Sequence, residues 1–373
     1  MSTVSFHGWS RRYAPDVERV VELVREIGES DEHILKSRVA ALEDEVAAAT
    51  GAGHAIGCAS GTGALTLILT ALGIKAGDEV VTPAFSYISS ASTIALAGAR
   101  PVFADVDEHT GTLDPAAAEA AVGPATRALL PAHLFSCAAD MAALRRLSDA
   151  HGLRLVEDSA VSFGATVNQK PAGTLGDAGV FSFFPGKPLG GIGDAGMVIT
   201  DDDELALPVR MLRNHGQRPG QRFVHELVGF NCRMDELSAG FLLKALKNHA
   251  AVLDARRERA QWYEERLRPL GPEVLPPPAD FAGRAVYTYV VRAKRRAELR
   301  EHLAQRGIET VIYYPRPLHL QPVFAHLGHR EGEFPVAEQL SRESVALPLR
   351  PDLSRDDIDR VADAIHEFYG ARA

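Results

Sequence analysis

The stretch that decides the fold is Met141-Ala142-Ala143-Leu144-Arg145-Arg146-Leu147-Ser148-Asp149-Ala150-His151, followed after Gly152 by Leu153-Arg154-Leu155-Val156-Glu157-Asp158. The first eleven residues have a helical period. The next segment is a short apolar run of β type with an acid at its end. The same alternation extends in both directions. Glu79-Val80-Val81-Thr82, Pro101-Val102-Phe103-Ala104, Ala128-Leu129-Leu130-Pro131, Val180-Phe181-Ser182-Phe183 and Met197-Val198-Ile199-Thr200 read as further strands, and Thr62 to Leu72 reads as a helix. Strands separated by helices predict an α/β fold with a mostly parallel central sheet covered on both faces.

Beyond about residue 235 the texture changes. Asp235 to roughly Leu267 reads as one long amphipathic helix, broken by the five prolines between Pro269 and Pro278. Val286 to Val291 reads as a strand and Arg296 to Arg306 as a helix. Ser354-Arg355-Asp356-Asp357 opens a last helix with Ser354 as its N-cap. A chain of 373 residues is long for one domain. The expected division is a large α/β domain with an N-terminal arm over 1–245 and a smaller α+β domain over 246–373.

Hydrophobic residues make up 46% and charged residues 24%, an ordinary globular composition that argues against a disordered or fibrous chain. A net charge of −9 provides no general field for nucleic acid or anionic membrane, so neither is an expected partner. A phosphorylated ligand then needs a local basic or amide-lined pocket. Cys58, Cys137 and Cys232 are far apart and odd in number, which reads as small buried or half-buried thiols in a reducing compartment and not as a disulfide frame or a zinc site. Met1 to Gly8 holds no apolar stretch behind a basic start, and the longest apolar run, Ala64 to Ile74, is too short to span a bilayer. The expectation is a cytoplasmic protein.

Open α/β sheets bind ligands beyond the carboxyl ends of their strands. Asp158 stands at such an end. Ser60-Gly61-Thr62-Gly63-Ala64 opens a helix, where free amides favour phosphate. Ser182 and Lys187 lie at the end of an apolar strand and in the Pro/Gly turn after it, and an apolar setting makes a lysine amine nucleophilic. Each piece has an ordinary reading as a turn, a cap or a solvated side chain. Gly191-Ile192-Gly193-Asp194-Ala195-Gly196 has dinucleotide spacing but precedes a strand and not a helix, so that reading is rejected. The pieces together match the needs of pyridoxal phosphate: an amine for its aldehyde, a carboxylate for its ring nitrogen, amides and hydroxyls for its phosphate.

These motifs resemble the DegT/DnrJ/EryC1/StrS family of sugar aminotransferases, a branch of the fold-type-I pyridoxal-phosphate enzymes, from about Leu42 to Ile365. Ser60-Gly61-Thr62-Gly63-Ala64-Leu65 resembles the family's phosphate turn. Thr82-Pro83-Ala84-Phe85-Ser86-Tyr87 resembles the segment with the ring-stacking aromatic, here Tyr87. Glu157-Asp158-Ser159-Ala160 resembles E-D-x-A, with Asp158 on the pyridine nitrogen. Ser182-Phe183-Phe184-Pro185-Gly186-Lys187 resembles S-F-x-x-x-K, with Ser182 on the phosphate and Lys187 as the Schiff-base lysine. Gly229-Phe230-Asn231-Cys232-Arg233-Met234-Asp235 resembles a segment whose Asn reaches the neighbouring subunit's phosphate, which implies a homodimer with shared sites. Arg213-Asn214-His215-Gly216 and Tyr313-Tyr314-Pro315-Arg316-Pro317-Leu318-His319 resemble segments near the substrate and nominate His215, Tyr314 and His319. The chain departs from the pattern at Val161 and Phe163, where the family has Gln and His, and at Ser136-Cys137, where it has Gly-Gln.

The resemblance implies amino transfer, with glutamate as donor, to a nucleotide-linked keto-deoxysugar of the dTDP type at C4 or C3, as in antibiotic amino-sugar synthesis. Alternatives are amination of a free keto-cyclitol and a non-catalytic cofactor-binding regulatory relative. Dehydratase relatives lack the lysine, so Lys187 argues against that branch. A plain Rossmann-like binding module lies further out.

Overall fold

The computed structural model describes residues 3–370, so the outermost ends of the two expected domain ranges lie outside the described residues. Its main sheet draws strands from β1 (His54–Cys58), β2 (Glu79–Pro83), β3 (Arg100–Ala104), β4 (Thr126–Leu129) and β5 (Arg154–Asp158). The short hairpin β6 (Thr166–Val167) and β7 (Lys170–Pro171) stands apart, and β8 (Ala178–Ser182) and β9 (Gly196–Thr200) complete the sheet. The order is β1-β9-β8-β5-β4-β2-β3. Every pairing is parallel except those of β9 with β1 and with β8. The strands are buried along most of their length, as a sheet covered on both faces requires.

Parallel strands bring their carboxyl ends to one edge. Asp158 ends β5 and Ser182 ends β8; Cys58, the last residue of β1, and Ser182 both pair with Gly196. That convergence leaves no room for a side chain at Gly196, where a Cβ would lie 2.3 Å from the Ser60 carbonyl carbon. The helix Gly61–Ala71 starts there. Ser60 caps it by accepting the Gly63 N–H at 3.0 Å.

A second core gathers Ala260, Tyr263, Leu267, Tyr289, Val291, Leu299, Val345, Ile358 and Ile365, and Val4 joins it. Its sheet is β10 (Val274–Leu275), β11 (Tyr289–Ala293) and β12 (Ser344–Leu347), all antiparallel. Three expectations change here. The long helix breaks at Asn248 into Glu236–Lys247 and His249–Leu267, because Asn248 has a non-helical φ/ψ of −107/6 and its N–H turns to Ala245 O and Leu246 O. The second of these helices is not cleanly amphipathic, since its buried residues include His249, Arg256 and Glu264. The strand expected at 286–291 begins only at Tyr289. Arg256 Nη1 takes the carbonyls of Val286 and Tyr287, and the Tyr287 N–H donates to Phe135 O at 3.0 Å, so these residues are withdrawn from the sheet. The last helix, Arg355–Tyr369, carries the Ser354 cap as expected, with Asp357 closing a capping box. All three cysteines are free and buried.

Candidate active site

At the carboxyl edge of the sheet lies a cavity of about 320 Å³, near the lower end of the roughly 300–1,000 Å³ usual for ligand pockets. Gly61, Thr62, Tyr87, Asp158, Ser182, Lys187 and Tyr314 all line it, so seven of the residues nominated from the sequence meet around one space. The parallel topology explains the meeting of six of them, which sit at or just beyond strand ends; Tyr314 comes from the segment between the helix Arg296–Gln305 and β12.

Asp158 is buried, and its carboxylate accepts from Ser90 Oγ at 3.2 Å and from the Ala160 N–H at 3.2 Å. Burial pushes its pKa up, while the two donors, Lys187 and His133 pull it down. Behind it, Glu157 is fully buried. It accepts from His133 Nε2 at 2.6 Å, Ser159 Oγ at 3.0 Å, and the N–H groups of Gly173 at 2.5 Å and Leu175 at 2.9 Å. His133 Nδ1 accepts the Ala139 N–H, so the ring proton lies on Nε2 and is donated to Glu157. The His133 N–H in turn donates to Asp158 O at 3.0 Å. This set holds the end of β5 in place.

Lys187 is half-buried at the cavity wall. Burial lowers its amine pKa from 10.5 to about 8, against the opposing pull of Asp158. Its Nζ lies 4.6 Å from the centre of the Tyr287 ring. Arg12 Nη2 donates to Lys187 O at 3.0 Å and so fixes the turn that carries the amine.

The opposite wall is the start of the helix Gly61–Ala71. The first amides of a helix have no partner within it, and with the helix dipole they favour an anion. Gly61 fits because a Cβ there would lie 2.8 Å from Ser182 Cβ. Amides, a hydroxyl, a buried carboxylate and an amine of lowered pKa around this volume match a phosphorylated heterocyclic aldehyde. Pyridoxal phosphate fits the residues present.

The structure does not bring the other nominated residues here. Asn231 is exposed and accepts from Arg233 Nε at 3.0 Å. His215 lines a separate, open cavity of about 750 Å³ with Lys36, Arg218, Arg222 and Arg233. His319 is buried against Phe334, with Nε2 3.2 Å from Glu338 Oε1, and does not line the cavity. Val161 also stays out of the lining. Phe163 packs against Phe181 and Phe183, and its carbonyl meets His249 Nε2 at 3.0 Å. Sequence reasoning missed Tyr287, Tyr313, Ser89 and Ser90. Tyr287 arrives from the second core, far along the chain, with no local pattern to mark it. Ser90 is two residues into a helix that follows the Tyr87 segment, and its proximity to an acid 68 residues away has no signal in one sequence.

Among the described residues no group of three or more His, Cys, Asp or Glu side chains is placed to hold a metal, and no helix is long and apolar enough to cross a membrane.

The sequence model of the DegT/DnrJ/EryC1/StrS aminotransferase family matches residues 16–366. The pleiotropic regulatory protein of Geobacillus stearothermophilus is 42% identical over 357 residues, 95% of either chain. The dTDP-3-amino-3,4,6-trideoxy-alpha-D-glucose transaminase of Streptomyces venezuelae is 41% identical over 340 residues, covering 91% of this chain and 89% of its own. The crystal structure of S. venezuelae DesV in complex with a ketimine intermediate superposes with a TM-score of 0.95 at 39% identity, over 100% of both chains.

Proposed function

The chain belongs to the DegT/DnrJ/EryC1/StrS aminotransferase family and is a pyridoxal-phosphate-dependent sugar aminotransferase, and on that premise we propose that it carries an amino group from glutamate to a dTDP-linked keto-deoxysugar. The observation that carries the reading is the meeting of Lys187, its amine at a pKa of about 8, with buried Asp158 in one cavity. The name of the Streptomyces transaminase supports amination at C3, with C4 as the competing outcome, and a place in antibiotic amino-sugar synthesis.

When bound, the cofactor supplies a ring that accepts the electron pair left as a proton departs from the carbon beside the amine. The chain's residues do the rest. Asp158, whose carboxylate accepts from the Ser90 hydroxyl and the Ala160 amide, would pair with the ring nitrogen and keep it protonated. The amides of Gly61 and Thr62 and the Ser182 hydroxyl would hold the phosphate. Tyr87, on the cavity lining, would cover a ring face. Lys187 Nζ would carry the proton between the two carbons that flank the transferred nitrogen, which requires a neutral amine; at a pKa of about 8 a useful neutral fraction exists near neutral pH. The Tyr287 ring beside Nζ stabilises the charged form that exists between the two proton transfers.

The same reading makes the assembly a homodimer whose partner's Asn231 completes the phosphate site. Its support is the apolar surface near Asn231: Phe223 is 75% exposed and Val228 95% exposed in this single chain. It divides the chain into 1–245 and 246–373, supported by the separate core of the C-terminal part, and assigns the protein to the cytoplasm, in keeping with three free thiols. The open cavity at His215 is then where the sugar nucleotide approaches, its arginines supplying the local positive charge that the net charge of −9 does not.

The test is a two-stage assay. Glutamate alone should convert the yellow cofactor form, and a dTDP-linked 3-keto sugar should restore it with release of the amino sugar. Turnover with a keto-inositol but not with the nucleotide sugar would replace the substrate class. Absence of any half-reaction with any amino donor would favour a regulatory role.

A further inference from the structure

We propose that Ser86 and Ser90 are positioning residues that fix the orientation of the Asp158 carboxylate for the cofactor's ring nitrogen. Both are buried, and neither lines the cavity. Ser90 is the second residue of the helix Ser89–Leu96. Its hydroxyl donates to Asp158 Oδ2 at 3.2 Å, while the Ala160 N–H donates to Oδ1 at 3.2 Å. Ser86 Oγ stands 2.9 Å from Ser90 Oγ. A serine hydroxyl has one proton to give. That of Ser90 is committed to Asp158, so Ser86 is the donor to Ser90. The two hydroxyls form a directed chain that ends on one acid.

Their chain neighbours Ala84, Phe85 and Ala91 belong to a buried apolar cluster. A hydroxyl in such a setting costs free energy unless it is paired, and alanine would fill nearly the same space. What the serines add is the chain to Asp158. Burial pushes that acid towards its neutral form. The Ala160 amide and the Ser90 hydroxyl offset part of the push, and Lys187 and His133 act in the same sense. With one oxygen tied to a hydroxyl and the other to an amide, the plane of the carboxylate is set before any ligand arrives. The Ser90 N–H also donates to Tyr87 O at 3.2 Å. Ser90 thereby joins the acid to the segment that carries Tyr87, the residue assigned to a face of the same ring. The inference rests on the pairing of Asp158 with the ring nitrogen proposed above.

The experiment titrates the full-length apoprotein, by fluorescence, with pyridoxal phosphate and with its 1-deaza analogue, in which a C–H replaces the ring nitrogen. Both compounds keep the aldehyde and the phosphate, so they differ only at the atom that Asp158 meets. Ser90→Ala should weaken pyridoxal phosphate about tenfold and the analogue by less than about twofold. Ser90→Thr, which keeps the hydroxyl, should stay within about threefold of wild type for both. Ser86→Ala, one link further from the acid, should weaken pyridoxal phosphate alone by about threefold, and it carries the test if Ser90→Ala does not fold. An equal loss for the two compounds marks a merely structural role and overturns the proposal, as does an unchanged affinity for pyridoxal phosphate in both alanine variants. A wild type that binds the two compounds alike removes Asp158 from the ring nitrogen, and the role of the serine pair falls with it; a wild type that separates them while the alanine variants lose both equally overturns the serine pair alone.

Discussion

Removing the amine of Lys187 should stabilise the apoprotein at neutral pH, by an amount that the structure bounds. The lysine titrates near 10.5 in an unfolded chain and near 8 in the folded one. The sign follows from that order. Between these values the unfolded chain binds a proton that the folded one does not, so stability rises as pH increases from about 8 to about 10.5. Below 8 the full penalty for burying the charge is present. Each tenfold change in proton affinity is worth about 1.4 kcal/mol, so the gap corresponds to at most ~3 kcal/mol, and water in the open cavity reduces it to ~2 kcal/mol. Lys187→Met keeps the stem and removes the charge. Urea denaturation of the apo forms at pH 7 should show the variant ~2–3 kcal/mol more stable. The advantage should shrink to nothing by pH 10.5. Equal stability of the two proteins at pH 7, or an advantage that does not change with pH, would mean that the amine is not held in a charge-averse site.

Three other perturbations separate the proposed roles. Asp158→Asn should lower kcat by on the order of 10²–10³ while leaving the apoprotein's Tm unchanged or higher, because a buried carboxylate whose pKa is pushed up costs stability when ionised; kinetics beside thermal melts check both parts. Tyr287→Leu should reduce kcat by about threefold to thirtyfold with little change in the KM for the sugar, and Tyr287→Phe, which keeps the ring face 4.6 Å from Nζ, should recover most of it. A Leu variant that changes KM alone would place Tyr287 with the substrate and not with the lysine. Gly61→Ala puts a Cβ 2.8 Å from Ser182 Cβ, and overpacking of about 1–3 kcal/mol should weaken binding of pyridoxal phosphate to the apoenzyme by roughly 5- to 150-fold in a fluorescence titration.

What the sequence disclosed was set by local chemistry. Apolar runs mark the strands, and parallel topology sends their ends to one edge, so Asp158, Ser182 and Lys187 could be placed together before any coordinates. Partners chosen by tertiary packing left no such trace. The kink at Asn248 depends on one residue's backbone inside an otherwise continuous helical pattern. The late start of β11 depends on Arg256 capturing carbonyls from a helix that precedes it by about thirty residues. His319 sits in a motif that reads as substrate-facing, yet the fold turns its ring towards Glu338 and Phe334. Tyr287 is legible only once the second core is folded against the first.

The most direct measurement is reduction of the holoenzyme with borohydride followed by peptide mass spectrometry. One pyridoxyl-phosphate adduct is expected, on Lys187. No trapped adduct, or one confined to another lysine such as Lys36 on the rim of the open cavity, would contradict it.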